Sequence, residues 1–127
     1  MRKAYVPIVL GMLVLAACAS TGTTTAARSS RSAITADEIA AIQVRTALDA
    51  VERLRPTWLR SRGMTNVRSG EQDHPIVFLN GNRYGEIGTL RDIQATDVVT
   101  ISFIEPSDAT TRYGTGYPGG IIDVRTQ

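Results

Sequence analysis

The sequence predicts a small α+β domain, with an N-terminal amphipathic helix packed on a small mixed or antiparallel sheet, short helices and no barrel. Three observations predict it. Apolar residues recur at helical spacing over residues 36–54, a short apolar run at 76–79 leads into Asn80-Gly81, and two further stretches, 98–105 and 121–126, have strand character.

The helix announces its own start. Thr35-x-x-Glu38 is a capping box, in which the hydroxyl and the carboxylate each satisfy a backbone N–H that has no partner inside the helix. Ile34 and Ile39 stand on either side as a hydrophobic staple. Ala40, Val44, Ala47, Leu48, Val51 and Leu54 then form one stripe, with Arg45, Asp49, Glu52 and Arg53 off it. Pro56 disfavours helical geometry at Arg55, so the spacing predicts a single helix over 36–54. The stripe is alanine-rich and its polar face is not strongly basic, which suits a core better than a membrane surface. Pro56-Thr57-Trp58-Leu59 can add one turn ending at Gly63, and residues 64–74 read as loop.

Asn80-Gly81 between extended runs is a hairpin signal, because both central residues of a type I′ turn need positive φ. The return strand is expected over Asn82 to Tyr84, followed by a short helix or turn over 88–97. Period two in 98–105 places Val99, Ile101 and Phe103 on one face and Val98, Thr100 and Ser102 on the other. Ser107 is placed to cap a short helix over Asp108 to Tyr113, closed by Gly114, and Ile121 to Thr126 form a last strand.

Gly114-x-Gly116-x-x-Gly119 has the lettering of a dinucleotide-binding loop. Such a loop must follow a strand and open a helix, because the pyrophosphate rests on the free N–H groups of the helix. Here a helix is expected before the glycines and a strand after them, and Pro118 removes one N–H. The glycines therefore read as bends into a strand. Arg112, Tyr113 and Tyr117 make this loop a candidate contact surface for a partner.

The other end of the chain sets the compartment. Arg2 and Lys3 precede an apolar run over residues 6–17, shorter than the roughly 20 residues a membrane span needs, and small residues follow. This is a secretory signal pattern. Leu15-Ala16-Ala17-Cys18 resembles the lipobox of bacterial lipoproteins. The resemblance implies cleavage before Cys18 and acylation of Cys18, on its thiol with diacylglycerol and on its new amino group. Two or more acyl chains hold a small protein far better than one. Ala19 follows where aspartate retains some lipoproteins in the inner membrane, so the resemblance implies an outer-membrane address, with the domain facing the periplasm. Residues 19–32, rich in Ser, Thr, Ala and Gly, read as a tether with a reach of about 20 Å. The expected organisation is a signal peptide over 1–17, a lipidated cysteine and linker over 18–33, and a domain over 34–127.

Removing the signal takes Arg2 and Lys3 with it and leaves 12 arginines against 12 acids, with no lysine. A formally neutral domain gives nucleic-acid binding no electrostatic support. Cys18 is the only cysteine, so once acylated it leaves no thiol for a disulfide, a metal site or a nucleophile.

Residues 76–126 resemble the second half of the plug domain of TonB-dependent outer-membrane receptors. Asn80-Gly81 stands for the family's Asp-Gly, residues 98–114 for its strand and its small-residue helix ending in Tyr-Gly, and Gly119-Gly120-Ile121-Ile122-Asp123-Val124-Arg125-Thr126 for its last strand. The resemblance implies a plug-like fold and an envelope address. No barrel and no TonB box accompany it, so siderophore uptake does not carry over.

Three functions compete. The expected one is a non-enzymatic binding module, anchored by lipid and contacting an outer-membrane or periplasmic protein or a ligand through its loops, with no cofactor and no metal. The second is a structural lipoprotein without a specific ligand. The third is a small hydrolase built on His74 beside Asp73, for which no G-x-S-x-G elbow, paired carboxylates or metal-ligand spacing is present in the sequence.

Overall fold

A computed structural model describes residues 31–62 and 73–127. Cys18, the signal pattern, the tether up to residue 30, and Gly63 to Gln72 lie outside the described residues. The fold is α+β: five strands form one open mixed sheet in the order β1-β4-β5-β2-β3, with helices on both faces.

Strand β1, Ala33–Thr35, begins one residue before the expected domain start and pairs antiparallel with β4. The expected single helix is two. Helix α1 covers Ala36–Ile42 and α2 covers Ala47–Leu54. The chain leaves α1 through Gln43 at φ 48°, a left-handed conformation that no helix interior contains. A second capping box, Thr46 with Asp49, then starts α2, its two hydrogen bonds each 3.2 Å. The junction is stitched to the far side of the domain: Ala47 N–H donates to the Ile93 carbonyl and Ala95 N–H to the Arg45 carbonyl, both at 2.9 Å. Those backbone partners replace helical ones, which is why the apolar stripe continues through a break it does not reveal. The first capping box is present as expected, and both staple residues, Ile34 and Ile39, are buried.

Pro56–Leu59 form a 3-10 turn that buries Trp58. Strand β2, Ile76–Leu79, turns through Asn80 (φ 51°) and Gly81 (φ 83°) into β3, Asn82–Glu86, two residues longer than expected. The 88–97 region supplies two 3-10 segments, Ile87–Asp92 and Ala95–Asp97. Strand β4 is Val98–Ile104. Its register shifts between Val98 and Thr100, so Val98 points into the core and Val99 stands 45% exposed. The bulge therefore removes Val99 from the face it was expected to share with Ile101 and Phe103. Helix α3 is Pro106–Tyr113; it starts at Pro106, with fixed φ at the first position, and Ser107 does not cap it. Strand β5, Ile121–Thr126, lies in the middle of the sheet, antiparallel to β4 and parallel to β2.

The sheet divides two cores. On the first face, Val77, Ile101, Phe103, Ile122 and Val124 pack with Ile34, Leu48, Val51, Trp58 and Leu90 under α1, α2 and the 3-10 segments. On the second, Phe78, Ile104 and Ile121 pack with Ala109 of α3, with Ile76 and Tyr117 half-buried against them. Full burial of each such aliphatic side chain contributes about 1.5–3 kcal/mol, so the larger first core dominates. Both sheet edges are blunted. β1 has only three residues, and β3 carries an irregularity opposite Val77 and Phe78 that leaves Tyr84 without a cross-strand partner.

Candidate functional site

The candidate contact residues Arg112, Tyr113 and Tyr117 sit at the C-terminal end of α3 and in the loop that follows. The helix packs on the second sheet face through Ala109 and, one turn later, Tyr113. Gly114, at φ 86°, ends it, its N–H donating to the Thr110 carbonyl at 3.0 Å. The chain then returns across the sheet, and Tyr117 follows. Both tyrosines meet Phe78 edge to face, with ring centroids 4.9 Å away for Tyr113 and 5.7 Å for Tyr117. The two are 6.3 Å from each other. Edge-to-face packing sets the positive rim of one ring against the negative face of another and adds to the area buried. Tyr113 nevertheless remains 40% exposed, and Arg112 is exposed with no ion pair among the described residues.

The glycines divide into two kinds. Space beside Gly114 and Gly116 is open. Gly119 and Gly120 are buried: a Cβ at Gly119 would overlap the backbone of Asp73 and His74, and one at Gly120 would lie 2.6 Å from the Ile104 carbonyl oxygen. Gly120 also takes φ 86°, and its carbonyl accepts from Ile76 N–H at 3.1 Å. These two glycines let the loop press against β4 and the start of β2 before it becomes the central strand. The loop follows a helix and leads into a strand, the reverse of a phosphate cradle.

Residues distant in sequence complete this surface. Phe78 is flanked in its row of the sheet by Asp123 on β5 and Arg83 on β3, with Ser102 of β4 beyond Asp123. Asp123 is the one buried charged residue among the described residues; its carboxylate accepts from Gly81 N–H at 3.3 Å and faces Arg125 Nε at 3.4 Å. Strand alternation in β2 and β5 puts Phe78 and Asp123 on the face away from the first core, a sequence signal not used in choosing Arg112, Tyr113 and Tyr117. Their meeting with Tyr113 depends on how the chain closes over the sheet, which alternation does not encode.

His74 is exposed beside half-buried Asp73, and it is the His74 backbone, not its ring, that Gly119 packs against. Among the described residues no group of three His, Cys, Asp or Glu side chains could hold a metal ion. Two open grooves exist elsewhere. One, of about 320 Å³, is lined by Leu79, Tyr84, Asp92 and Asp97 with their neighbours; the other, of about 360 Å³, lies at the α1–α2 junction by Arg45, Asp49 and Glu52. Neither includes His74 or the 112–117 loop. At the end of β4, Arg62 grips Glu105 through two hydrogen bonds, 2.6 and 3.3 Å, and lies 5.0 Å over the ring of Phe103, which stacks on Trp58 in the first core. No helix among the described residues is long and apolar enough to cross a membrane. No protein-family model, no curated protein and no solved structure matches the chain.

Proposed function

We propose that this is a lipid-anchored protein of the outer membrane, facing the periplasm, whose stand-alone plug-like domain is a non-enzymatic binding module. The lipobox-like Leu15-Ala16-Ala17-Cys18 supports the anchor, and the similarity of residues 76–126 to TonB-dependent receptor plugs supports the envelope role. The observation that carries the binding role is Tyr113, an aromatic side chain packed edge to face on Phe78 while 40% exposed, next to an exposed arginine. Tyrosine and arginine on a pre-organised support are the side chains that dominate binding energy at interfaces.

Two measurements test the reading. Metabolic labelling with palmitate should mark the protein and fail on Cys18→Ala. A benzophenone amino acid placed at position 112 inserts into any nearby C–H bond, so in intact cells it should give specific adducts that Tyr113→Ser weakens. Labelled protein without adducts from that loop would replace the binding role with that of a structural spacer. Unlabelled protein would remove the anchor.

A further inference from the structure

We infer that the basic end of the second sheet face docks on an anionic lipid headgroup layer. The inference rests on the lipid-anchor reading and names the partner of the surface that carries Tyr113.

Charge is segregated along this face. Arg83 shares a row with Phe78 and Asp123, and Arg125 follows on the same face of β5, two residues along. Arg112 adjoins Tyr113, whose ring covers Phe78. Arg83 thus pairs with Phe78 across the sheet, Arg112 adjoins Tyr113 and Arg125 lies two residues beyond Asp123; the one carboxylate in that row, Asp123, is buried and already faces Arg125. Arg125 is still 64% exposed. The other acids of this side lie toward the opposite end: Glu86 in the row of Ile76 and Ile121, Glu105 and Asp108 at the start of α3. Glu105 is matched there by Arg62. The second face therefore carries its exposed arginines and its half-exposed tyrosine toward one end, while Asp92 and Asp97 line the groove beside Leu79 and Thr126.

That end suits a phosphate-bearing surface. Guanidinium groups bind phosphate oxygens with several donors, and a tyrosine with an apolar ring and a polar tip belongs at a membrane–water boundary. The point where the described chain enters the sheet lies close to that end. The chain enters the sheet at β1, where Ala33 shares the row of Ser102, Asp123 and Phe78. Three strand spacings, about 14 Å, separate that point from Phe78.

The test removes the anchor from the question. The mature chain from residue 18, carrying Cys18→Ser, is sedimented with vesicles of phosphatidylglycerol or of phosphatidylcholine at millimolar lipid and low salt. Partitioning is expected on phosphatidylglycerol alone and is lost at high salt, where exposed charges are screened. Arg83→Gln and Arg112→Gln should each lower it about fivefold. Arg45→Gln, on the opposite side of the domain, should leave it unchanged. All three side chains are exposed, so the variants should melt with the parent. Equal sedimentation with both lipids, or an equal loss from Arg45→Gln, would overturn the inference. So would a preference for soluble polyglutamate over the vesicles, which would indicate an acidic protein partner. Because no acyl chain is present, these outcomes are independent of whether palmitate labels Cys18.

Discussion

Asn80 and Thr126 hold each other by two hydrogen bonds. The Asn80 carbonyl oxygen accepts from Thr126 N–H and its amide donates to the Thr126 hydroxyl, both at 3.0 Å. Asn80 is also the first central residue of the β2–β3 turn, at φ 51°. One side chain therefore sets the turn and ties it to the end of the central strand, 46 residues away. Beside it, Asp123 accepts from Gly81 N–H at 3.3 Å. Asn80→Ala should cost about 2 kcal/mol, part from the left-handed backbone and part from the lost hydrogen bonds. Asn80→Gly, which adopts the same φ freely, should cost only about 1 kcal/mol. Thermal melts would read the first change as a fall of about 10 °C. Equal losses from both variants would mean that the left-handed backbone adds nothing beyond the lost side-chain bonds.

The hairpin shows what kind of information a sequence exposes. Asn80-Gly81 was legible because its chemistry is local: two adjacent residues that tolerate positive φ. The capping box at Thr35 and the strand at Ile121 to Thr126 were legible for the same reason. The break at Gln43 was not, because Val44, Ala47 and Leu48 keep a helical stripe across it while the deciding hydrogen bonds come from Ile93 and Ala95. Thr46-x-x-Asp49 was a local signal that the stripe overshadowed. The bulge at Val99 is set by how β4 meets β5, and a period of two cannot show where a register slips. Of the candidate site, Arg112, Tyr113 and Tyr117 were found as a loop, but Phe78, Asp123 and Arg83 beneath them required the sheet order.

Gln43 offers a test of the break itself. It is exposed and its side chain supports nothing described, yet its backbone is left-handed at φ 48°. Gln43→Gly should relieve that strain and stabilise the domain by about 0.5–1 kcal/mol, even after the greater chain entropy glycine brings to the unfolded state. Thr46→Ala removes the hydroxyl that starts α2 and should cost about 1 kcal/mol. Urea midpoints of the two variants should move in opposite directions. A destabilised Gln43→Gly protein would mean that α1 and α2 form one continuous helix in solution.

The two kinds of glycine predict a graded response. Gly116→Ala meets no atom within 4 Å and bears only the strain of φ 115°, about 1 kcal/mol. Gly119→Ala drives a methyl group into the backbone of Asp73 and His74, and Gly120→Ala adds positive φ to contact with the Ile104 carbonyl. Both should exceed 3 kcal/mol, since backbone on each side must move. The same geometry shows why deleting residues 112–120 is a poor probe of binding: it removes the close approach that seats β5. Denaturant titration of the three variants measures the order, and a Gly119→Ala protein as stable as Gly116→Ala would contradict the close packing.

Tyr113 and Tyr117 share a partner in Phe78 but should separate stability from binding. Tyr117 is the more covered of the two and belongs to the second core, so Tyr117→Ala should cost about 2–3 kcal/mol. Tyr113 is 40% exposed, so part of its surface is already in water, and Tyr113→Ser should cost about 1 kcal/mol. Arg112→Gln touches no described partner and should leave the melting temperature unchanged. Measured together with the crosslinking and vesicle assays, the three variants form a graded set. Arg112→Gln should impair binding alone, Tyr113→Ser mainly binding, and Tyr117→Ala mainly stability. If binding loss simply followed stability loss across the set, the 112–117 loop would be a core element with no surface role.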